Sequence, residues 1–165
     1  MQTNLEGEGL VRSACEADLP VIIQFIHELA LYEKLEQEIT SNIERMRRDL
    51  FGSKPVAEVL IAEWSGKSVG FALFFQNYST FLGKPGLYLE DLFVQPAFRG
   101  RGLGKALILK IAALAVERDC GRFEWAVLDW NQPSIEFYKA LGAKPMSEWT
   151  IFRLSGDELK KYASP

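Results

Sequence analysis

Residues 94–105 read VQPAFRGRGLGK. Gly100, Gly102 and Gly104 alternate with Arg101 and Leu103, and Arg99, Arg101 and Lys105 bring three cations to one turn. Glycines there permit positive φ and close backbone approach. A helix opening behind them offers free N–H groups and a partial positive charge. From Arg99 to Arg122 six basic residues stand against two acidic ones, a local charge of +4. The pattern suits an anionic ligand, a phosphate or pyrophosphate above all. It is not a Walker A loop, because Gly100 to Lys105 is one residue short and Ala106 has no hydroxyl for magnesium. It is not a dinucleotide fingerprint either, since Lys105 falls where the third glycine belongs. A helix entry that only packs tightly is the simpler alternative, but three glycines with three flanking cations exceed what a turn needs.

Carboxylates and a phenol are the other chemical resource. Glu90 and Asp91 follow an apolar run, and strand alternation sends them to opposite faces. Pairing with a basic side chain is the plain alternative for a buried carboxylate. Tyr138 lies beside Phe137 in a short helical segment. A phenol of ordinary pKa about 10 is protonated at neutral pH and can donate a proton, or it can simply fill a core. Glu28, Glu33, Glu36 and Glu38 surround Lys34, a local charge of -3. Such a run attracts a cation or marks a solvated helix end. Asn131 and Ser134 offer polar contacts or a helix cap. His27 is the one histidine; no motif surrounds it, and it reads as a packed or surface residue. Two cysteines, Cys15 and Cys120, are too few for a disulfide framework or a zinc site, so no metal is expected.

The elements that must position these groups fit one domain. The chain has 165 residues, 48% hydrophobic and 25% charged, with net charge -3; this excludes a disordered chain and a global basic field for nucleic acid. No apolar stretch reaches the ~20 residues of a membrane span, and the opening MQTNLEGEGL is no signal peptide. A cytoplasmic protein with reduced cysteines is expected. Residues 1–9 read as a polar leader and residues 10–165 as a single domain. Leu10–Ala14 reads as an edge strand. Asp18 caps a helix with Pro20 in its first turn and Leu19, Ile22, Ile23, Ile26, Leu29 and Ala30 on its buried face. A second helix starts at Thr40 or Ser41 and ends at Gly52. Strands follow over Val56–Trp64 and Ser68–Asn77, joined at Ser65-Gly66-Lys67, then a loop over Tyr78–Gly86 and a strand over Leu87–Val94. A long helix follows the glycine turn, with Gly121 as its stop. Arg122–Leu128 is a strand, Pro133–Leu141 a helix ended by Gly142, and Trp149–Leu154 a last strand. This order is α/β: a mixed sheet with helices on both faces.

The form Arg99-x-x-Gly102-x-Gly104 after a strand resembles the acetyl-CoA pyrophosphate loop of the GNAT acetyltransferases. Leu87–Val94 resembles the strand before that loop, and Asn131–Ala143 the family's later segment. Glu28-Leu29-Ala30-x-Tyr32-Glu33-Lys34-Leu35, Tyr78-Ser79-Thr80 and Ala126–Gln132 are similar to the spermidine/spermine and thialysine Nε-acetyltransferases. Ser79-Thr80-Phe81 stands where the polyamine enzymes carry an acid, a proline and a tryptophan, which favours the thialysine branch.

The resemblance implies a mostly antiparallel GNAT sheet, acetyl-CoA as cosubstrate, a small primary amine as acceptor and a homodimer. It assigns amine deprotonation to Glu90 and thiolate protonation to Tyr138. It implies cofactor contacts from the backbone of Leu92, Phe93 and Val94, from Arg99, Gly100, Arg101, Gly102, Leu103, Gly104 and Lys105, and from Asn131, Ser134 and Tyr138. Tyr32, Glu33, Glu90, Asp91 and Trp149 would line the acceptor pocket. A non-catalytic acyl-CoA sensor and an acetyltransferase of protein amines are the competing readings, because a fold alone does not fix a function.

Overall fold

The computed structural model describes residues 3–4 and 8–162. The chain divides into two compact units, Met1–Ala126 and Val127–Pro165. The first is built on six strands whose spatial order is their chain order: β1 (Thr3–Asn4), β2 (Gly9–Ser13), β3 (Glu58–Trp64), β4 (Lys67–Ser79), β5 (Lys84–Val94) and β6 (Arg122–Trp125). β1 to β5 pair antiparallel, and β6 joins β5 in parallel. A parallel step needs a crossover, here α3 (Leu103–Glu117). α1 (Leu19–Glu33) and α2 (Ile43–Phe51) fill the connection from β2 to β3. The mixed, mostly antiparallel sheet read from the sequence is the one that forms.

β3 and β4 are buried over Val59–Ala62 and Val69–Ala72. Strands covered on both faces read as continuous apolar runs, which accounts for VLIA and VGFA. On one face Ile22, Phe25 and Leu29 of α1 pack with Val59, Ile61, Phe71 and Phe93. Phe25 stacks on Phe71 at 5.9 Å between centroids. Phe25, absent from the stripe expected for α1, takes its deepest place, while Ile23, Ile26 and Ala30 are only half-buried. α3 packs Leu103, Leu107 and Ile111 onto the sheet, touching β2 to β5.

Several boundaries differ from the sequence reading. The leader expected over residues 1–9 lies mostly outside the described residues, but Thr3–Asn4 pairs with β2 and takes the edge position from it. Asp18 sits at the start of α1 without capping it. Its carboxylate instead accepts from Arg12 at 2.7 and 2.8 Å and from the Cys15 N–H at 2.8 Å. α2 is capped by Asn42, whose Oδ1 accepts from the Glu44 and Arg45 N–H groups. The β4–β5 hairpin closes over Thr80–Gly83, so most of the expected loop is strand. α3 stops with Asp119 at φ 52. Gly121 instead makes room for Leu82, whose Cδ1 would lie 2.8 Å from an added Cβ.

The second unit holds α4 (Gln132–Ala140) and α5 (Gly156–Lys160). The strand expected over Trp149–Leu154 does not form. These residues are exposed and pair with no strand among the described residues. Their alternation is strand-like, but a strand needs a neighbour for its backbone hydrogen bonds.

Candidate active site

β5 changes company along its length. β4 accompanies it to Val94, whereas β6 pairs only with Gly86–Leu89 and then ends. From Glu90 to Val94 one edge of β5 carries no strand among the described residues. Such an edge presents backbone donors and acceptors without a ladder. The strand end is tied down on other sides. The Val94 carbonyl accepts from Arg99 Nε at 2.9 Å, the Gln95 N–H donates to the Val69 carbonyl, and the Gln95 side chain donates to the Glu28 carboxylate at 3.1 Å.

A β-bulge falls in this same stretch. Leu73 pairs with Asp91 and Phe74 with Leu89, which leaves Glu90 as the extra residue. A bulge bends its strand and re-aims side chains. Alternation alone would separate the two acids. In the bulged strand Glu90 is exposed and Asp91 half-buried, and the charge of Glu90 still acts on Asp91, as does that of Glu33 at the end of α1. Burial first, then Glu90, then Glu33 push the Asp91 carboxyl up to about 7. Among the described residues no cation and no hydrogen bond offsets them. Burial also raises Glu33. Glu33 is the last residue of α1 because Lys34 turns left-handed at φ 61, and the Leu35 N–H closes the turn on the Ala30 carbonyl at 2.8 Å. Beside it the Arg99 guanidinium lies 4.9 Å from the centre of the Tyr32 ring and 5.8 Å from that of Phe93.

The glycine turn opens directly onto α3. Gly100 and Gly102 stand at φ 76 and 80, and an added Cβ at either would meet nothing within 4 Å. Glycine is required there for its conformation, and the space in front of the turn is open. No side chain caps α3, and the first N–H to bond within it is that of Ala106, to the Gly102 carbonyl at 2.9 Å. The N–H groups of Gly102, Leu103, Gly104 and Lys105 therefore point out of the helix, at the positive end of its dipole. They fit a pyrophosphate. Leu103 is 1% exposed, so only its backbone can contribute; the same holds for buried Phe93 and Val94. The three cations are not equivalent. Arg99 braces Val94 and Tyr32, Arg101 lies 4.7 Å above the Trp64 ring, and Lys105 is exposed. The Arg101–Trp64 contact and the Glu28–Gln95 link have no local signal in the sequence, since each joins residues far apart in the chain, 67 positions for Glu28 and Gln95.

The first unit thus brings together Tyr32, Glu33, Glu90, Asp91, the end of β5 and the glycine turn. The other expected site residues belong to the second unit. Asn131 is 6% exposed and caps α4, its Oδ1 accepting from the Ser134 N–H at 3.4 Å. Ser134 and Tyr138, four residues apart, share one face of α4 and are half-buried. The Tyr138 and Phe137 rings are 5.3 Å apart, and Gly142 at φ 88 ends the segment. Trp149 is 70% exposed. His27 is exposed on α1. Among the described residues no His, Cys, Asp or Glu cluster could hold a metal ion, and no helix is long and apolar enough to cross a membrane.

A glycine turn feeding an open helix end, beside a strand half released from its sheet, is a place for an anionic ligand such as a pyrophosphate. The acetyltransferase (GNAT) family matches residues 23–143. The chain belongs to that family and is an acetyl-CoA-dependent N-acetyltransferase. It is 39% identical to a thialysine N-epsilon-acetyltransferase of Sus scrofa, over 93% of this chain and 96% of that protein. It is 31% identical to an L-ornithine N5-acetyltransferase of Arabidopsis thaliana, over 91% and 86%. Among solved structures, an integron cassette protein from the mobile metagenome of V. cholerae shares the fold with a TM-score of 0.79 at 24% identity, covering 96% and 99% of the two chains.

Proposed function

We propose that the protein acetylates the terminal primary amine of a small molecule, a thialysine-like amino acid in preference to a polyamine, by direct transfer in a ternary complex. The observation that carries this reading is Asp91, crowded by Glu90 and Glu33 with no cation among the described residues to balance them.

An alkyl amine is an ammonium ion at neutral pH. Three carboxylates attract it, and an aspartate titrating near 7 is a better proton acceptor than an ordinary one. In this proposal Asp91 takes the proton, the role the resemblance gives to Glu90, and Glu90 holds the cation from the exposed side of the bulge. The neutral nitrogen attacks the acetyl carbon while N–H groups along Leu92–Val94 receive the developing oxyanion. The C–S bond breaks, Tyr138 protonates the thiolate, and the proton shed by the nitrogen restores the phenol. The turn from Gly100 to Lys105 holds the pyrophosphate, aided by the charges of Arg99 and Arg101. Asn131 and Ser134 contact the cofactor, and Tyr32 and Trp149 line the acceptor. A single-domain cytoplasmic homodimer is part of the same proposal.

Coenzyme A release, followed with a thiol reagent, tests it. The acceptors are thialysine, lysine, ornithine, putrescine, spermidine and spermine, beside a blank. Amine-dependent release, fastest with the amino acids, is expected. Release no faster than the blank for every amine would overturn the reading.

A further inference from the structure

A second recess lies next to Asp91, on the same face of the sheet. It is a half-open recess of about 360 Å³ between α2, the segment before it, and β4. Its floor is Leu73, the cross-strand partner of Asp91. Directly paired residues sit about 5 Å apart and point to one face, so the cavity begins one strand spacing from the proposed base. Met46 adds an apolar wall, and Thr40, Ser41, Arg45 and Asp49 make the polar rim.

The charges on that rim are not equivalent. α2 carries three arginines. Arg47 is paired with Glu16 and Glu44, and Arg48 with Asp49 at 2.9 Å. Arg45 is exposed and has no carboxylate partner among the described residues, and it is the one of the three arginines that lines the recess. Asp49 follows it by one helical turn on the same face, and only its Oδ1 is engaged by Arg48. An unpaired guanidinium and a carboxylate, set side by side over an apolar floor, match an ammonium–carboxylate pair at the end of a short hydrocarbon chain.

We propose that this cavity holds the α-amino acid end of the acceptor. Arg45 receives the α-carboxylate, Asp49 the α-ammonium, Leu73 and Met46 carry the methylenes, and the chain delivers its terminal amine to Asp91. The inference rests on the amine-acetylating reading and adds its selectivity. A diamine or polyamine can still place an ammonium against Asp49 but has no carboxylate for Arg45, so the site discriminates by that missing contact.

The test compares acceptors that differ by one carboxylate: lysine with cadaverine, and ornithine with putrescine. In the wild type the amino acid of each pair has the higher kcat/KM. Arg45→Gln is expected to raise KM for the amino acids about tenfold or more, with kcat little changed and the diamines unaffected or improved. Arg45→Lys restores part of the loss, and Asp49→Asn weakens the amino acids in the same sense. Equal effects on both members of a pair, or none, would overturn the assignment. Calorimetric titration of lysine into wild type and Arg45→Gln, with coenzyme A present, separates the two readings. Binding lost in the variant but without acetylation in the wild type sustains the cavity and sinks the amine reaction. Acetylation with unaltered lysine binding in the variant does the reverse.

Discussion

Asp18, buried, and Asp91, half-buried, belong to the same compact unit, yet their surroundings are opposite. Asp18 accepts two hydrogen bonds from Arg12 and one from a backbone N–H, and the Arg12 guanidinium holds it down to about 2. Asp91 feels two carboxylates and, among the described residues, no cation, and is pushed up to about 7. Desolvation acts on both in the same direction; hydrogen bonds and neighbouring charge decide the outcome. Asp18 fastens β2 to the start of α1. Asp91 is kept hungry for a cation, which costs stability and is useful only if a cation arrives.

The largest effect expected is on activity. Asp91→Asn should lower kcat about 10²-fold or more, and Asp18→Asn should leave the kcat of the folded enzyme within about twofold; a reversal would break the contrast. For the wild type, kcat/KM should fall about tenfold per pH unit below about 7, since Asp91 must be ionised to accept a proton.

The next effect is on stability. Asp18→Asn leaves Arg12 with Glu63 alone and should cost on the order of 3 kcal/mol in urea unfolding. The two acids should also give opposite pH dependences. Asp18 lies below its ordinary 3.8 in the folded protein, so its contribution is complete above about 4 and is lost as pH falls through about 2. Asp91 lies above its ordinary 3.8; the folded state then binds its proton more tightly, and stability is lost as pH rises from about 4 to about 7. Asp91→Asn should therefore raise the melting temperature at pH 8 and leave it nearly unchanged at pH 4.

Smaller shifts sharpen the comparison. Glu90→Gln removes the larger of the two negative neighbours of Asp91 and should move the acid limb of the pH–rate profile to lower pH. Glu33→Gln should move it the same way by less. No movement in either variant would mean that burial alone sets Asp91. In the second unit, Tyr138→Phe should lower kcat and leave acetyl-CoA affinity nearly intact; unchanged turnover would remove Tyr138 as the acid.

What could be read from the sequence divides along physical lines. α1, α4 and the glycine turn were legible because Pro20, Asn131, Gly142 and the spacing of apolar residues act within a few positions. The β3–β4 hairpin was legible from Ser65-Gly66, whereas the β4–β5 hairpin was hidden within the loop expected over Tyr78–Gly86. The bulge at Glu90 was not, because it arises from the register of β4 against β5 and leaves no mark on either strand alone. It bears most on the site, because it leaves exposed Glu90 as the extra residue beside half-buried Asp91. The position of Arg101 over Trp64 and the grip of Glu28 on Gln95 depend on distant pairings and were invisible for the same reason. Trp149–Leu154 shows the opposite failure: the local pattern was right for a strand, and the partner was missing.

The strand order of the sheet bears on how the chain finds this structure. Because spatial order repeats chain order, β3, β4 and β5 can form as one meander through two short hairpins. Closing short loops costs little entropy, and local pairings favour fast folding. β2 must wait for α1 and α2, and β6 for α3. The meander is thus where we expect nucleation to begin, and the bulge that re-aims Glu90 and Asp91 lies inside it. The geometry of the carboxylates proposed to react would then be fixed among the earliest events of folding, before either end of the sheet is in place.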